Sequence, residues 1–236
     1  MNNNKNCFIS GATGGLGQCL AKEFAKKKYN LFLTSTSESS LKKLKKELIS
    51  THKNIDIFYE AGNFTSLTDL KRITNNAIKK FKILHILINN AGTFPVQDLK
   101  DTSLQDFQEC FDVNVRAPFY FSKIFSEGMK DVKWGRIVNI ASSSAYEGYK
   151  KTSIYCASKH ALLGFTRSIL HELKEYNIRS YSISPGSIQT KMGKKVPNQN
   201  YDTFIDPKEI SKFISMIVSF DKQMISEEVK INRFNL

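Results

Sequence analysis

The sequence predicts an α/β protein in which one doubly wound parallel sheet carries helices on both faces. Short apolar segments alternate along the chain with longer segments whose apolar residues recur at helical spacing, and this alternation is typical of a parallel sheet. The 236 residues, of which 41% are hydrophobic and 24% charged, suit one globular domain. Because no linker, repeat or low-complexity segment divides them, we expect a single domain over residues 1–236.

The first apolar segment, residues 7–10, is a predicted strand that runs directly into the glycine-rich stretch 11–17. From Leu16 onward, leucine, alanine and phenylalanine recur at helical spacing as far as Ala25, which predicts a helix. Strand, glycine turn and helix in this order are the context of a dinucleotide-binding turn. Glycine lets the backbone approach a pyrophosphate, whose charge the amino end of the helix stabilises.

The remaining elements follow from the same two periodicities. Further strands are expected at residues 30–35, 55–59, 83–89, 136–141 and 178–184, and further helices around Leu41, Leu44 and Leu48 and at residues 68–81, 104–127 and 155–176. The long helix at 104–127 is expected to begin at a cap formed by Thr102 or Ser103. The almost continuous apolar run at 83–89 is typical of a central parallel strand covered on both faces.

The end of the second strand bears on the choice of cofactor. An NAD-binding fold places an acid there to hold the ribose hydroxyls, whereas this chain has four small hydroxyl residues at 34–37, among them Thr36. The first acid, Glu38, is interpreted as a helix cap paired with Ser35 in a capping box, not as a ribose ligand. A carboxylate would repel a 2′-phosphate that small hydroxyls with nearby lysines tolerate, so NADP(H) is favoured over NAD(H).

Tyr155 and Lys159 lie four residues apart, which places both side chains on one face of a helix. A free tyrosine has a pKa of about 10, and a cation held beside it lowers that pKa, as a general acid or base requires. A solvated helix face would give the same spacing, so the interpretation depends on the rest of the chain.

The rest of the chain supplies a set of motifs in a fixed order. They are Gly11-x-x-x-Gly15-x-Gly17, Asn89-Asn90-Ala91-Gly92, Asn114 within Asp112-Val113-Asn114-Val115, Ser142, Tyr155-x-x-x-Lys159 and Pro185-Gly186. In these motifs the chain resembles the short-chain dehydrogenase/reductase family, most closely its 3-oxoacyl-acyl-carrier-protein reductases. The thirteen residues from Ser142 to Tyr155 are the family's usual spacing. The resemblance covers residues 7 to about 231 and implies a single Rossmann-type sheet.

The resemblance also implies an NAD(P)(H)-dependent oxidoreductase that reduces a carbonyl to a secondary alcohol or catalyses the reverse reaction. Tyr155 would exchange the proton with the substrate oxygen, and Lys159 would lower the tyrosine pKa and bind the nicotinamide ribose. Ser142 would stabilise the negative charge on that oxygen, with Ser143 and Ser144 as alternative hydroxyls. Asn114 would anchor a water that relays protons. No metal is expected.

The family's cofactor contacts map onto residues along the whole cleft. The resemblance places the pyrophosphate beside Gly11, Thr13, Gly15, Leu16 and Gly17. At the adenosine end it assigns Thr36 to the ribose, Asn63 and Phe64 to the adenine, and Asn90, Ala91 and Gly92 to the surroundings of the adenosine ribose. At the nicotinamide end it assigns Pro185, Gly186, Ile188 and Thr190, together with Tyr155 and Lys159. Two departures stand out. Asn63 replaces the family's usual acid, and Gly14 replaces the basic residue common in NADP-specific relatives, which counts against NADP(H).

The substrate is left open by the sequence. Residues 191–204 are expected to form a lid whose lysines either attract an anionic substrate or are surface charge. Candidate substrates are a 3-oxoacyl group on acyl carrier protein and, alternatively, a sugar or polyol. Lys133 fits one family docking position for that carrier, while Tyr176 occupies the other. A non-catalytic redox-sensing protein is a further alternative, although the complete set of catalytic residues argues against it.

Composition limits the remaining partners. The formal charge of +13 comes mainly from lysines on expected exposed helix faces, without interleaved aromatics, so no nucleic acid partner is predicted. The first residues lack a signal peptide's apolar core and no run could span a membrane, so a cytoplasmic protein is expected. The four cysteines are scattered and indicate neither disulfides nor a metal site. The resemblance implies a homodimer or homotetramer, for which Phe119, Phe121, Phe125 and Leu163 are interface or core candidates.

Overall fold

The structure, a computed structural model, describes residues 4–196 and 198–234, and within them seven strands form one parallel sheet. The strands are β1 (Asn6–Ser10), β2 (Asn30–Ser35), β3 (Ile57–Ala61), β4 (Ile86–Asn89), β5 (Gly135–Ile140), β6 (Ile178–Pro185) and β7 (Glu228–Ile231). Their spatial order, β3-β2-β1-β4-β5-β6-β7, reverses direction between β1 and β4. Ligands of such sheets bind at that reversal, outside the carboxyl ends of the strands.

Helices cover both faces of this sheet, as the sequence predicts. They are α1 (Gly15–Lys26), α2 (Glu38–Thr51), α3 (Leu67–Phe81), α4 (Leu104–Phe111), α5 (Ala117–Asp131), α6 (Ser153–Leu173) and α7 (Pro207–Ile217). One apolar core joins the sheet to α1, α2 and α7, and a second joins it to α3, α5 and α6. None of the described helices is both long and apolar enough to cross a bilayer.

Strand β1 contributes side chains to both cores. Successive strand residues point to opposite faces, so Cys7 and Ile9 enter the first core while Phe8 enters the second. The Phe8 ring stacks on Phe32 at 5.6 Å and contacts Phe125 at 4.8 Å between ring centres. A buried aromatic of this kind contributes about 1.5–3 kcal/mol to folding, so the central strand fixes both layers at once.

Several boundaries differ from the sequence prediction. β3 begins two residues later than expected because its register on β2 pairs Leu31 with Ile57. β4 begins at Ile86, three residues later than expected. Before it, the carbonyl of Ile83 accepts a hydrogen bond from the Asn6 side chain at 2.8 Å instead of pairing with a neighbouring strand. The expected helix at 155–176 ends at Leu173 and continues only as a 3₁₀ turn, and the sequence analysis did not identify α7.

The expected long helix at 104–127 is interrupted. It begins at Ser103, which forms a reciprocal capping box with Asp106, so the predicted cap is confirmed. Residues Asp112–Arg116 then form a π-helical segment between α4 and α5. Such segments within α-helices are frequent at functional sites, and this one contains Asn114.

Candidate active site

One cleft of about 1320 Å³ lies along the carboxyl edge of the sheet. It is lined by the turn after β1 and by residues that follow β2, β4, β5 and β6. All the residues assigned to the cofactor by the sequence line it, and so do Ser142, Tyr155 and Lys159. Asn114 is fully buried behind the wall and does not line the cleft. The structure therefore brings the predicted site residues together, with Asn114 one layer beneath them.

The glycine turn has the close packing that a bound pyrophosphate needs. Gly11 has a φ of +63°, and a Cβ there would lie 2.8 Å from the Cα of Ala91. A Cβ on Gly17 would lie 2.1 Å from Gly11 O, so no other residue fits either position. Gly14 caps α1 without a side-chain hydrogen bond, and the first turn of α1 contains no acid. The amide groups at this helix end are thus oriented to bind an anion, and the turn fits a dinucleotide.

The end of β4 is joined to this turn by side chains. Asn90 Nδ2 donates to Gly11 O at 3.0 Å and to Ser10 O at 3.1 Å. In return, Ser10 Oγ accepts from the backbone N–H groups of Asn90 and Ala91, each at 3.1 Å. Ser10, which the sequence analysis did not single out, therefore holds two walls of the cleft together. Its position as the last residue of β1 was the available signal.

The predicted capping box at the start of α2 is wrong. The cap is Ser37, whose hydroxyl accepts from the Ser40 N–H, while Glu38 is the first helical residue and does not line the cleft. Ser35 is unavailable as a cap because its hydroxyl lies 2.6 Å from Thr13 Oγ1, which ties β2 to the glycine turn. The interpretation that Glu38 is not a ribose ligand agrees with this geometry.

The adenine end of the cleft contains Asn63 and Phe64. The side-chain oxygen of Asn63 accepts from the Thr65 N–H at 3.0 Å, so part of its acceptor capacity is already used. Phe64 is buried and packs edge-on against Phe121 at 5.9 Å between ring centres. Asn63 therefore acts first on the loop conformation, while Phe64 belongs to the second core as well as to the cleft wall.

Asn114 links three parts of the site through its amide. Its Oδ1 accepts from the Thr93 N–H at 2.9 Å, and its Nδ2 donates to Thr93 O and to Ser158 Oγ, both at 3.0 Å. The π-helical segment thus fixes the loop after β4 and the helix that carries Lys159. A Cβ on Gly92 would lie 3.3 Å from Asn114 Oδ1, so the loop passes close to this amide.

Tyr155 lies on the first turn of α6 and is 8% exposed. Burial raises the pKa of Tyr155 to about 12, and a hydrogen bond with Ser142 acts in the opposite direction. The net shift of this pKa is upward and burial is its largest cause, so the lowering expected from Lys159 is not found. The edge of Phe94, a residue that the sequence did not point out, contacts the phenol ring at 4.6 Å between ring centres. A phenol with this pKa keeps its proton at neutral pH and remains available as a donor.

Lys159 is buried beside the phenol, with its Nζ 5.7 Å from the Tyr155 ring centre. The Nζ donates to Ile140 O at 2.8 Å, at the end of β5. Burial lowers the pKa of Lys159 to about 8, so the group can change protonation close to neutrality. Ser142 follows β5 by two residues, and its Oγ accepts from the Ser144 N–H at 3.1 Å. Ser143 and Ser144 also line the cleft, but Ser142 is the serine that forms a hydrogen bond with Tyr155.

The sequence matches the family model described as short chain dehydrogenase over residues 5–201. An uncharacterized oxidoreductase of Thermotoga maritima is 33% identical over 186 residues, which are 78% of this chain and 72% of that protein. A 3-oxoacyl-acyl-carrier-protein reductase of the same organism is 26% identical over 234 residues, which are 95% of this chain and 94% of that relative.

Solved structures share the fold over nearly the whole chain. An alcohol dehydrogenase from the archaeon Thermococcus sibiricus, complexed with 5-hydroxy-NADP, has a TM-score of 0.88 and 21% identity, covering 97% of this chain and 96% of that one. ElxO with NADP bound has a TM-score of 0.86 and 25% identity, covering 98% and 97%. The chain therefore belongs to the short-chain dehydrogenase family and is a nicotinamide-dependent oxidoreductase that interconverts carbonyl and hydroxyl groups.

Proposed function

We propose that Tyr155, Ser142, Lys159 and Asn114 form the catalytic set for reduction of a ketone to a secondary alcohol, or for the reverse. The observation that carries this proposal is that the buried phenol, with Ser142 in contact and Lys159 beside it, lines the same cleft as the glycine turn. A bound nicotinamide supplies the hydride for the carbonyl carbon. Tyr155 gives its proton to the oxygen, and Ser142 donates a hydrogen bond to the charge developing there.

The roles of the other two residues follow from their contacts. Lys159 has donors left beyond its bond to Ile140 O, and these suit a ribose hydroxyl at the nicotinamide end. Asn114 acts through position, since it fixes both the loop at Thr93 and the helix at Ser158. An alkoxide is a far stronger base than a phenolate, so the raised tyrosine pKa does not prevent proton donation in the reductive direction.

The test is a screen of purified protein with ketones and secondary alcohols, followed through nicotinamide absorbance with NADPH, NADH and their oxidised forms. Turnover of at least one carbonyl compound is the expected result. Absence of turnover across acyl thioesters, keto acids, sugars and simple ketones, from protein shown to bind the cofactor, would contradict the proposal.

We infer that NADP(H) is the preferred cofactor. Thr36, Ser40 and Lys43 line the cleft near the end of β2, while Glu38 does not, so this region offers hydroxyls and a cation to a 2′-phosphate. Two structural neighbours are described with NADP or its derivative bound. A preference for NADH in the screen would contradict this inference.

Substitution of Lys43 tests the same point within the chain. Lys43→Gln is expected to raise the KM for NADPH by roughly 5- to 20-fold and to leave that for NADH nearly unchanged, because only the 2′-phosphate loses a charged partner. Lys42→Gln is the matched control, since Lys42 is exposed on the same helix and does not line the cleft. An equal change in both cofactors would argue against a 2′-phosphate contact.

A 3-oxoacyl thioester on acyl carrier protein is one candidate substrate. Its support is the set of relatives named as reductases of that substrate and the cations near the expected docking positions. Tyr176 occupies one of the two docking positions at which the family has a basic residue. Lys130 Nζ lies 5.5 Å from the Tyr176 ring centre and places a cation beside that position. Faster turnover of acetoacetyl-acyl carrier protein than of the free thioester would support docking.

We also propose a single domain with a lid over residues 191–204, of which residue 197 lies outside the described residues. We further propose a homo-oligomer packed through the segment of α4 and α5 and through α6. Phe121, Phe125 and Leu163 are buried in the cores, whereas Phe119 is 47% exposed and contacts Phe165. On α4, Leu104 is also strongly exposed. Exposed apolar side chains of this kind favour a partner surface, and sedimentation as a monomer would contradict it.

A further inference from the structure

The last described strand brings an arginine to the rim of the cleft. β7 lies parallel to β6 with Ile231 opposite Pro185, and the Gly186 N–H donates to Ile231 O at 2.9 Å. Arg233 follows two residues later and therefore lies at the carboxyl edge of the sheet, where it lines the same cleft as Tyr155. The chain's end thus forms part of the wall on the side where the nicotinamide-end residues lie.

The guanidinium of Arg233 is held but not neutralised. Its Nη1 donates to Thr203 Oγ1 at 3.2 Å, and its central carbon lies 5.3 Å from the centre of the Phe204 ring. Across residues 4–196 and 198–234 no carboxylate forms an ion pair with it. A guanidinium offers five N–H donors in a planar fork, so most of them remain for a ligand. The contacts to Thr203 and Phe204 pre-position that fork.

The charges around this part of the cleft have one sign. Lys150 and Lys191 also line it, both exposed. Of the described lining residues the single carboxylate is Glu47, which lies on α2 and pairs with Lys22 at 2.6 Å. Cations that line a cleft raise the local concentration of anions there. The substrate end of the cleft is therefore built for a negatively charged molecule.

We propose that the substrate is a small carbonyl compound bearing a carboxylate or phosphate group and that Arg233 binds this group. The inference rests on the proposed function, since it names the substrate class for the same site. Both anions match the arginine fork with two parallel hydrogen bonds, whereas a neutral ketone or ester leaves it unpaired. Arg233 thereby determines specificity by contacting the anionic group of the substrate, away from the carbonyl that reacts.

Matched pairs of substrates test this proposal. 3-Oxobutanoate is compared with its methyl ester, and dihydroxyacetone phosphate with dihydroxyacetone, so that the two anion types are separated. The wild-type protein is expected to favour the charged member of at least one pair. Arg233→Gln should lower that charged-to-neutral ratio of kcat/KM by roughly 10- to 100-fold, mainly through KM, because hydrogen bonds to a charged group are lost.

Two further variants control for charge and folding. Arg233→Lys keeps the charge without the fork and should retain part of the preference. Lys194→Gln removes a charge from the expected lid at a residue that does not line the cleft, and should leave the ratio unchanged. Preference for the neutral members, or an unchanged ratio in Arg233→Gln, would overturn the proposal while leaving carbonyl reduction intact.

A binding measurement separates this inference from the proposed function. Calorimetry of 3-hydroxybutanoate and of glycerol 3-phosphate with Tyr155→Phe in the presence of NADP⁺ requires no turnover. Binding of either that disappears in Tyr155→Phe/Arg233→Gln would support the anion site even if no carbonyl compound is reduced. Absence of binding, or binding that does not depend on Arg233, would overturn the anion site whatever the activity screen shows.

Discussion

The two edges of the sheet each bury a cation, and they treat it differently. At the amino edge, Arg136 is fully buried and donates to Gly135 O, Asn177 O and Phe220 O, while its Nη2 lies 2.7 Å from Asp221 Oδ1. At the carboxyl edge, the Lys159 ammonium, within the described chain, donates to Ile140 O alone. Both Nη atoms of Arg136 have acceptors, although its Nε has none among the described residues, whereas Lys159 keeps free donors.

This difference indicates that the Arg136 charge stabilises the fold, whereas the Lys159 charge is suited to a role in the reaction. A buried charge is tolerated when hydrogen bonds satisfy most of its donors, as the four acceptors of the Arg136 Nη atoms do, and an arginine does not lose its proton. Lys159 lacks such compensation, and burial lowers its pKa to about 8. A lysine in this state can bind a ligand or change protonation. We therefore expect the amino edge to determine stability and the carboxyl edge to determine activity.

The largest expected effect is on activity. Tyr155→Phe removes the proton donor and should lower kcat by roughly 10²- to 10⁴-fold, the usual contribution of a general acid. Cofactor binding, followed by fluorescence titration, and the unfolding midpoint should stay close to wild type. Tyr181→Phe is the matched control, since Tyr181 is a buried tyrosine of β6 outside the cleft. Comparable turnover in the two variants would remove Tyr155 from the mechanism.

The next effect concerns the amino edge. Arg136→Ala removes the guanidinium that donates to Gly135 O, Asn177 O and Phe220 O, and it creates a cavity. Phe220 O keeps a bond from Arg179, and Asn177 O keeps one from the Gly135 N–H. We expect a loss of about 3–5 kcal/mol in the free energy of unfolding, measured in urea at fixed protein concentration. The kcat of the remaining folded protein should change little. A stable variant with reduced kcat would break the proposed division between the edges.

A smaller effect of opposite sign is expected for Lys159. Its folded-state pKa of about 8 lies below the ordinary 10.5, so the folded state binds fewer protons than the unfolded state between these values, and stability rises with pH across that window. Below about pH 8 the full cost of the buried charge is present. Lys159→Met should therefore stabilise the cofactor-free protein at pH 7 by about 1–3 kcal/mol, and reduce activity strongly.

Urea unfolding at several pH values checks this prediction. In Lys159→Met the rise in stability between pH 8 and 10.5 should become shallower. Lys208→Met, which changes a lysine of α7 outside the cleft, is the control and should keep the wild-type slope. A slope that is identical in wild type and Lys159→Met would contradict the assignment of the buried charge.

The parts of the protein that the sequence predicts well are those set by local order along the chain. The strand order of apolar segments, the glycine turn and the positions of Ser142 and Tyr155 depend on spacing, which the sequence contains. The direction of the Tyr155 pKa shift cannot be predicted from spacing, because it depends on how deeply the tyrosine is buried, for example against Phe94. The prediction of a capping box at Ser35 is wrong because the Ser35 hydroxyl contacts Thr13, a residue distant in sequence, and Ser37 is the cap instead.

The C-terminal wall illustrates the same limit. The spacing of residues along the chain does not indicate that its last strand reaches the cleft. That Arg233 lies at the cleft follows from the pairing of β7 with β6, in which each residue pairs with one 46 positions further along the chain. Long-range pairing of this kind cannot be read from periodicity, so specificity is less accessible from sequence than reaction class.

The π-helical segment at Asp112–Arg116 also sets the rotational phase between α4 and α5. Each residue of an α-helix turns the chain by about 100°, so an added or deleted residue here would rotate everything downstream by that angle. Cys110 faces α6 on one side of the segment, whereas Phe121 and Phe125 face the sheet on the other. A one-residue deletion would move these aromatics out of the second core. Length changes in this helix should therefore be excluded by folding itself, whatever substrate the enzyme takes.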